Sequence, residues 1–274
     1  MTFSVRFWGV RGSIACPSPR HIRYGGNTSC VQVSVGGTEL ILDIGTGSRA
    51  LGQHLLSEKK HDATLLLTHT HWDHINGFPF FAPAYHPDFK LRIMAGHLQT
   101  GMIRQVMAGQ MMQPMFPVPM EVMRAQLAFE DFRPHDRFEF GDGVVVKTLR
   151  LNHPDGAVGY RIEYGGKVFC YITDTEHTIG RPDEEILAGI DGADIVVYDA
   201  TYTDEEYPAR VGWGHSTWQE GIRLCKMANA RKLILFHHDP DHDDDRMAAI
   251  EAQAQAEFGD VVAAREQSLL TLIP

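Results

Sequence analysis

Residues 63–74, Ala-Thr-Leu-Leu-Leu-Thr-His-Thr-His-Trp-Asp-His, join an apolar run directly to three histidines and an aspartate. The apolar half has the length and composition of a buried strand. In extended chain, side chains two apart face the same way, so His69, His71 and Asp73 share one side at the strand's end. A turn into helix at Asp73-His74 swings His74 toward the same spot. Imidazole nitrogens and a carboxylate suit zinc, or manganese and iron. A lone histidine is usually a polar surface or core residue. Four ligand-type side chains at this spacing read instead as a metal site, either one crowded ion or, better, two.

Two ions need more donors, and the chain repeats the pattern. His153 follows an apolar run at 143–150, Asp174 follows one at 167–172, and His237 follows one at 231–236. Each lies at the C-terminal end of its run, so donors grouped at one sheet edge would converge. His238 rivals His237, although alternation puts the two on opposite sides. Further strands are expected at 2–8, 30–35, 39–43, 63–68, 90–94, 157–163 and 194–199, and helices at 47–57, 97–113, 181–190, 216–229 and 243–257. Strands come in pairs and then mix with helices in each half. This order predicts two sheets with helices outside, a four-layer αββα sandwich of the α/β class. A single domain over 1–274 is expected, with a Met/Pro-rich insertion at about 95–125. Eight of the eleven methionines lie between Met94 and Met123, and Gln113–Met120 adds three prolines. That segment reads either as gap-filling apolar packing or as a lid or dimer surface.

The formal net charge of −10 argues against a long nucleic-acid substrate, which a basic face would hold. No apolar run is long enough to cross a bilayer, so no membrane association is expected. The start of the chain alternates like a strand and lacks the apolar core of a signal peptide, so a cytoplasmic protein is expected. Four scattered cysteines, with no CxxC spacing, read as reduced thiols.

With His69, His71, Asp73 and His74 as HxHxDH, Asp43 at the strand end within Leu40–Ser48, LILDIGTGS, and His153, Asp174 and His237 in order downstream, the sequence resembles the metallo-β-lactamase superfamily. The resemblance implies an αββα fold and two divalent cations, zinc by default with Mn2+ or Fe2+ as alternatives. It places one ion on His69, His71, His153 and Asp174, and the other on Asp73, His74, Asp174 and His237, with Asp174 shared. It favours His237 over His238 and gives Asp43 the task of holding a ligating histidine. An aspartate at the shared position departs from the true β-lactamases. His71-Trp72-Asp73 departs from the His-x-Glu-x-Asp of the di-iron redox members, so a hydrolase is expected.

Gly212–Thr217, GWGHST, is similar to an element of the phosphodiesterase members, including the ribonuclease Z and cyclic-AMP phosphodiesterase-like branch. By that resemblance His215 touches the phosphate and protonates the leaving oxygen, a transfer that a near-neutral pKa suits. Asp73 is expected to orient the attacking water. Ser216–Gln219 reads as a capping box opening helix 216–229. Ser13, Asn27 and Thr28 are candidates to line the site or merely to cap turns, and His177 to support it. The tRNA-processing members carry a long arm between the third histidine and the shared aspartate. Here 21 positions filled by two strands leave no room for it. A small-molecule phosphodiester such as a cyclic nucleotide is the expected substrate. A lactone or thioester, tRNA 3′ ends, or a sensor without turnover are the alternatives. A homodimer is a candidate state, through the Met/Pro segment.

Overall fold

A computed structural model describes residues 3–141 and 143–273. The strands form two seven-stranded mixed sheets. The first contains β1 (Phe3–Gly9), β2 (Cys30–Val35), β3 (Thr38–Leu42), β4 (Asp62–Leu67), β5 (Lys90–Ala95) and β6 (Gln126–Asp131), in spatial order. The second runs from β7 (Arg137–Phe140) through β8 (Val144–Leu151), β9 (Ala157–Tyr164), β10 (Lys167–Ile172), β11 (Ile195–Asp199) and β12 (Lys232–Phe236) to β13 (Val261–Ala263). The chain then returns to the first sheet, where β14 (Leu269–Leu272) pairs antiparallel with β1.

Alternation assigns each side chain its layer. In β2, Val31, Val33 and Val35 point between the sheets, and Cys30 points to the outer face. Phe3, Phe7, Tyr171 and Phe236 join those valines in the inter-sheet core. The outer face of the first sheet is covered by α1 (Ser48–Ser57), α2 (Trp72–Ile75) and α3 (Ile103–Gly109). The outer face of the second is covered by α4 (Glu184–Ile190), α5 (Trp218–Met227) and α6 (Asp244–Glu257). Strands buried on both faces need near-continuous apolar sequence, as in the Leu-Ile-Leu-Phe of β12. The result is the expected four-layer αββα sandwich.

Residue 2 of the expected strand 2–8 lies outside the described residues. The helix expected over 97–113 contracts to Ile103–Gly109, because Gly101 takes φ 88° and a helix cannot propagate through it. The helix expected over 181–190 starts at Glu184, with Asp183 capping the amides of Glu185 and Ile186. The capping box expected at Ser216 sits one residue later. Thr217 accepts from the Glu220 amide at 3.1 Å and α5 begins at Trp218. The methionines divide. Met94, Met107, Met111, Met120 and Met123 are buried, whereas Met102, Met112 and Met115 are exposed. This segment links β5 to its parallel neighbour β6, a connection that must cross the sheet.

Candidate metal centre

The donors come from the C-terminal ends of β4, β8, β10 and β12. After β4 the chain stays extended through His71, which has φ −62° and ψ 154° and serves as N-cap of α2. This one turn lets His69 and His71 approach from the strand side while Asp73 and His74 approach from the helix. Asp43, Asp174 and His237, each just past its strand, adopt left-handed backbone with φ of 58°, 60° and 60°. For a non-glycine residue that conformation costs on the order of 1 kcal/mol. Such strain gathers where side-chain direction matters more than backbone comfort.

Two donor sets result. In one, His69, His71 and His153 meet, with His71 Nδ1 3.0 Å from His153 Nε2. Asp174 Oδ1 lies 3.8 Å from His69 Nε2 and 3.9 Å from His153 Nε2. In the other, Asp73, His74, Asp174 and His237 meet and all four are buried. His74 Nε2 lies 3.3 Å from Asp73 and 3.2 Å from Asp174, and His237 Nε2 lies 3.2 Å and 3.3 Å from the same carboxylates. Asp174 stands between the sets. His238 faces away, its Nε2 2.9 Å from the Ala264 carbonyl.

The surroundings fix which nitrogen is free on His153, His74 and His237. His153 Nδ1 meets the Gly214 carbonyl at 2.7 Å, and a carbonyl only accepts, so the ring proton sits there and Nε2 faces the cluster. His74 Nδ1 donates to Asp43 at 2.9 Å. Asp43 also accepts from the Thr68 amide and from the hydroxyls of Thr68 and Tyr171. The Thr201 hydroxyl donates to Asp199 at 2.7 Å, so it accepts from His237 Nδ1 at 3.0 Å. Each partner leaves a lone pair aimed inward, the arrangement that orients ligating histidines.

Charge follows the same plan. Burial, reinforced by His74, holds His69 well below the ordinary histidine range, and burial lowers His153 also. Both imidazoles are therefore neutral, as a ligand must be. Burial alone would raise Asp73 and Asp174, yet the neighbouring histidines, His74 for Asp73 and His237 with His74 for Asp174, hold both well below the usual carboxylate range. His69 Nε2 is buried with no hydrogen-bond partner among the described residues. A lone pair so placed fits a cation, as do two buried carboxylates beside the neutral His69 and His153.

His215 stacks on His237 with ring centroids 4.7 Å apart, and its Nδ1 lies 3.0 Å from Asp199. Burial opposes its charge, but Asp199 outweighs burial and pushes its pKa up to about 9. Asp199 had a readable signal, since Ile195–Asp199 is one more apolar run that ends in a carboxylate. Glu176 carries no such signal. Its carboxylate accepts the Gly212 and Gly214 amides at 2.8 and 2.7 Å and so fixes the loop that bears His215. His97 is a third addition. Its Nε2 lies 3.0 Å from the Thr70 hydroxyl, burial lowers its pKa to about 4, and it shares a cavity of about 530 Å³ with Arg150, Asn152 and His153.

The remaining expected residues fall differently. Ser13 reaches the cluster through its backbone, its amide donating to Asp73 at 2.8 Å, while its side chain is exposed. The Asn27 side chain is bound to Glu266, and Thr28 exchanges hydrogen bonds with Thr46. Both close loops and do not line the centre. His177 bonds Ser216 Oγ at 2.8 Å and stacks on Tyr207, outside both donor sets. No helix among the described residues is long and apolar enough to cross a membrane.

Residues 40–238 match the family model described as the beta-lactamase superfamily domain. A ribonuclease Z from Bradyrhizobium sp. is 26% identical over 293 aligned positions, covering 90% of this chain and 93% of that protein. The metallo-beta-lactamase fold protein YhfI from Bacillus subtilis superposes with a TM-score of 0.76 at 18% identity, covering 99% of each chain. Unliganded yeast PDE1 superposes with a TM-score of 0.70 at 14% identity, again covering 99% of each chain. The two structures share the fold.

Proposed function

The chain belongs to the beta-lactamase superfamily domain family, whose members are metal-dependent hydrolases, and on that premise we propose that it is a dinuclear phosphodiesterase acting on a small phosphodiester such as a cyclic nucleotide. The observation that carries this reading is the pair of donor sets with Asp174 standing between them, and with the His215–Asp199 pair stacked against one of them. His69, His71, His153 and Asp174 would hold one cation, and Asp73, His74, Asp174 and His237 the other. Zinc suits these donors, and Mn2+ or Fe2+ would use the same residues. Two bound divalent cations supply Lewis acidity and bring the pKa of water toward neutrality. Asp73, fixed by the Ser13 amide, orients the attacking water and accepts its proton. His215, with Nδ1–H held by Asp199, protonates the leaving oxygen.

Zinc-loaded protein assayed on cyclic nucleotides, bis(p-nitrophenyl) phosphate and simple lactones tests the reading. Turnover of the diesters supports it, and turnover confined to lactones overturns it. A second reading, cleavage at tRNA 3′ ends, is favoured by the relatives named ribonuclease Z. Against it stand the net charge of −10 and the tight Gly165-Gly166 turn joining β9 to β10, where the tRNA-gripping arm of such enzymes would emerge. Preferential cleavage of a precursor tRNA would favour the second reading.

A further inference from the structure

Across the Tyr202 ring from His215 lies a guanidinium that forms no ion pair among the described residues. The Arg210 side chain makes no hydrogen bond or ion pair among the described residues. It lies instead over two rings, its Cζ 4.9 Å from the Trp213 centroid and 5.9 Å from that of Tyr202. Tyr202 is buried and meets the His215 ring edge-on, with centroids 6.1 Å apart. The guanidinium is thus one ring removed from the group proposed to protonate the leaving oxygen. In a chain with 35 acidic and 25 basic residues, other arginines of this half are paired, Arg223 with Asp204 and Glu220 and Arg265 with Glu251. The carboxylate that reaches this loop, Glu176, accepts the Gly212 and Gly214 amides on its Oε2 and makes no ion pair with Arg210. Trp213 is held in the same anchored loop and yet is 60% exposed. A guanidinium stacked on aromatic faces keeps its in-plane N–H fork open for a bidentate oxyanion.

We propose that Arg210, braced by Trp213 and Tyr202, is a phosphate-binding subsite on the leaving-group side, so that the favoured substrates carry a second phosphate on the alcohol released. The inference rests on the phosphodiesterase reading and narrows its substrate class. It also places a positive charge where an acidic protein would otherwise repel such a substrate.

Calorimetric titration of the zinc-loaded protein with thymidine 3′,5′-bisphosphate and thymidine 5′-monophosphate tests it. The wild type is expected to bind the bisphosphate about tenfold more tightly, the size of one charged hydrogen-bonding contact. Arg210→Ala removes that preference, Arg210→Lys keeps part of it, and Trp213→Phe keeps more than Trp213→Ala. Equal binding of both ligands by the wild type, or a preference undiminished in Arg210→Ala at unchanged zinc content, overturns the proposal. Hydrolysis of bis(p-nitrophenyl) phosphate is followed in the same preparations. Loss of turnover with the binding preference intact defeats the phosphodiesterase reading and leaves the subsite standing.

Discussion

The two sheets furnish the candidate centre in different ways. The first delivers four donors within six residues, His69 to His74, through a single strand-to-helix turn. The second delivers His153, Asp174 and His237 one at a time from three strand ends, and adds Asp199 and His215 as a separate pair. The first contribution is local and tolerates little motion within one turn. The second depends on whole strands holding register across the sheet, and on partners such as Asp199 and Gly214 that set each ring.

Removing Asp174, which stands between the two donor sets, should have the largest effect. Asp174→Ala is expected to lower bound zinc from two ions per chain to one or none, by atomic emission, and to reduce diester turnover by more than about 100-fold. If it retains both ions, the two sets do not share Asp174. Next in size is His215→Ala, expected to reduce kcat by about 100-fold or more on a diester with an alkyl leaving group. On bis(p-nitrophenyl) phosphate the loss should be small, because p-nitrophenolate departs without a proton. Equal losses on both would assign His215 to positioning. Asp43→Asn leaves every donor in place and removes only the anion that holds His74. It should weaken zinc by about 10- to 100-fold in a competition titration. In the metal-free protein, NMR titration should show His215 keeping its proton up to about pH 9. A raised folded-state pKa means that this pair stabilises fully below the ordinary histidine value of 6.5 and that the stabilisation fades as pH rises through about 9. Asp199→Asn should bring the midpoint down toward that ordinary value. The smallest effect belongs to His238→Gln, which should leave zinc content unchanged and cost about 1 kcal/mol through its bond to Ala264.

The same contrast explains what was legible in the sequence. The contiguous HTHWDH motif and the apolar runs of β10 to β12 announce themselves, because burial on both faces demands near-continuous hydrophobicity. Strands β6, β7, β13 and β14 do not. β6 and β7 edge their sheets with many half-exposed side chains, and β13 and β14 are three and four residues long. Asp199 was written in the same strand-end grammar as Asp174, but its neighbour His215 lies in a different loop, and only folding joins them. Asn27 and Thr28 look like site residues by type. The folded chain gives them nearer partners, Glu266 and Thr46, that no local pattern reveals.

The left-handed backbone at Asp43, Asp174 and His237 has a consequence for anyone who sets out to make this protein hardier. Glycine occupies that conformation without steric cost, so a library selected only for melting temperature, in chelating buffer, would drift toward glycine at Asp174 and His237, while Asp43 is kept by the buried Thr68 and Tyr171 donors it satisfies. Each gain would erase a group at the heart of the proposed chemistry. Durability and turnover pull Asp174 and His237 in opposite directions, and a selection meant to keep both has to be run with the cations present.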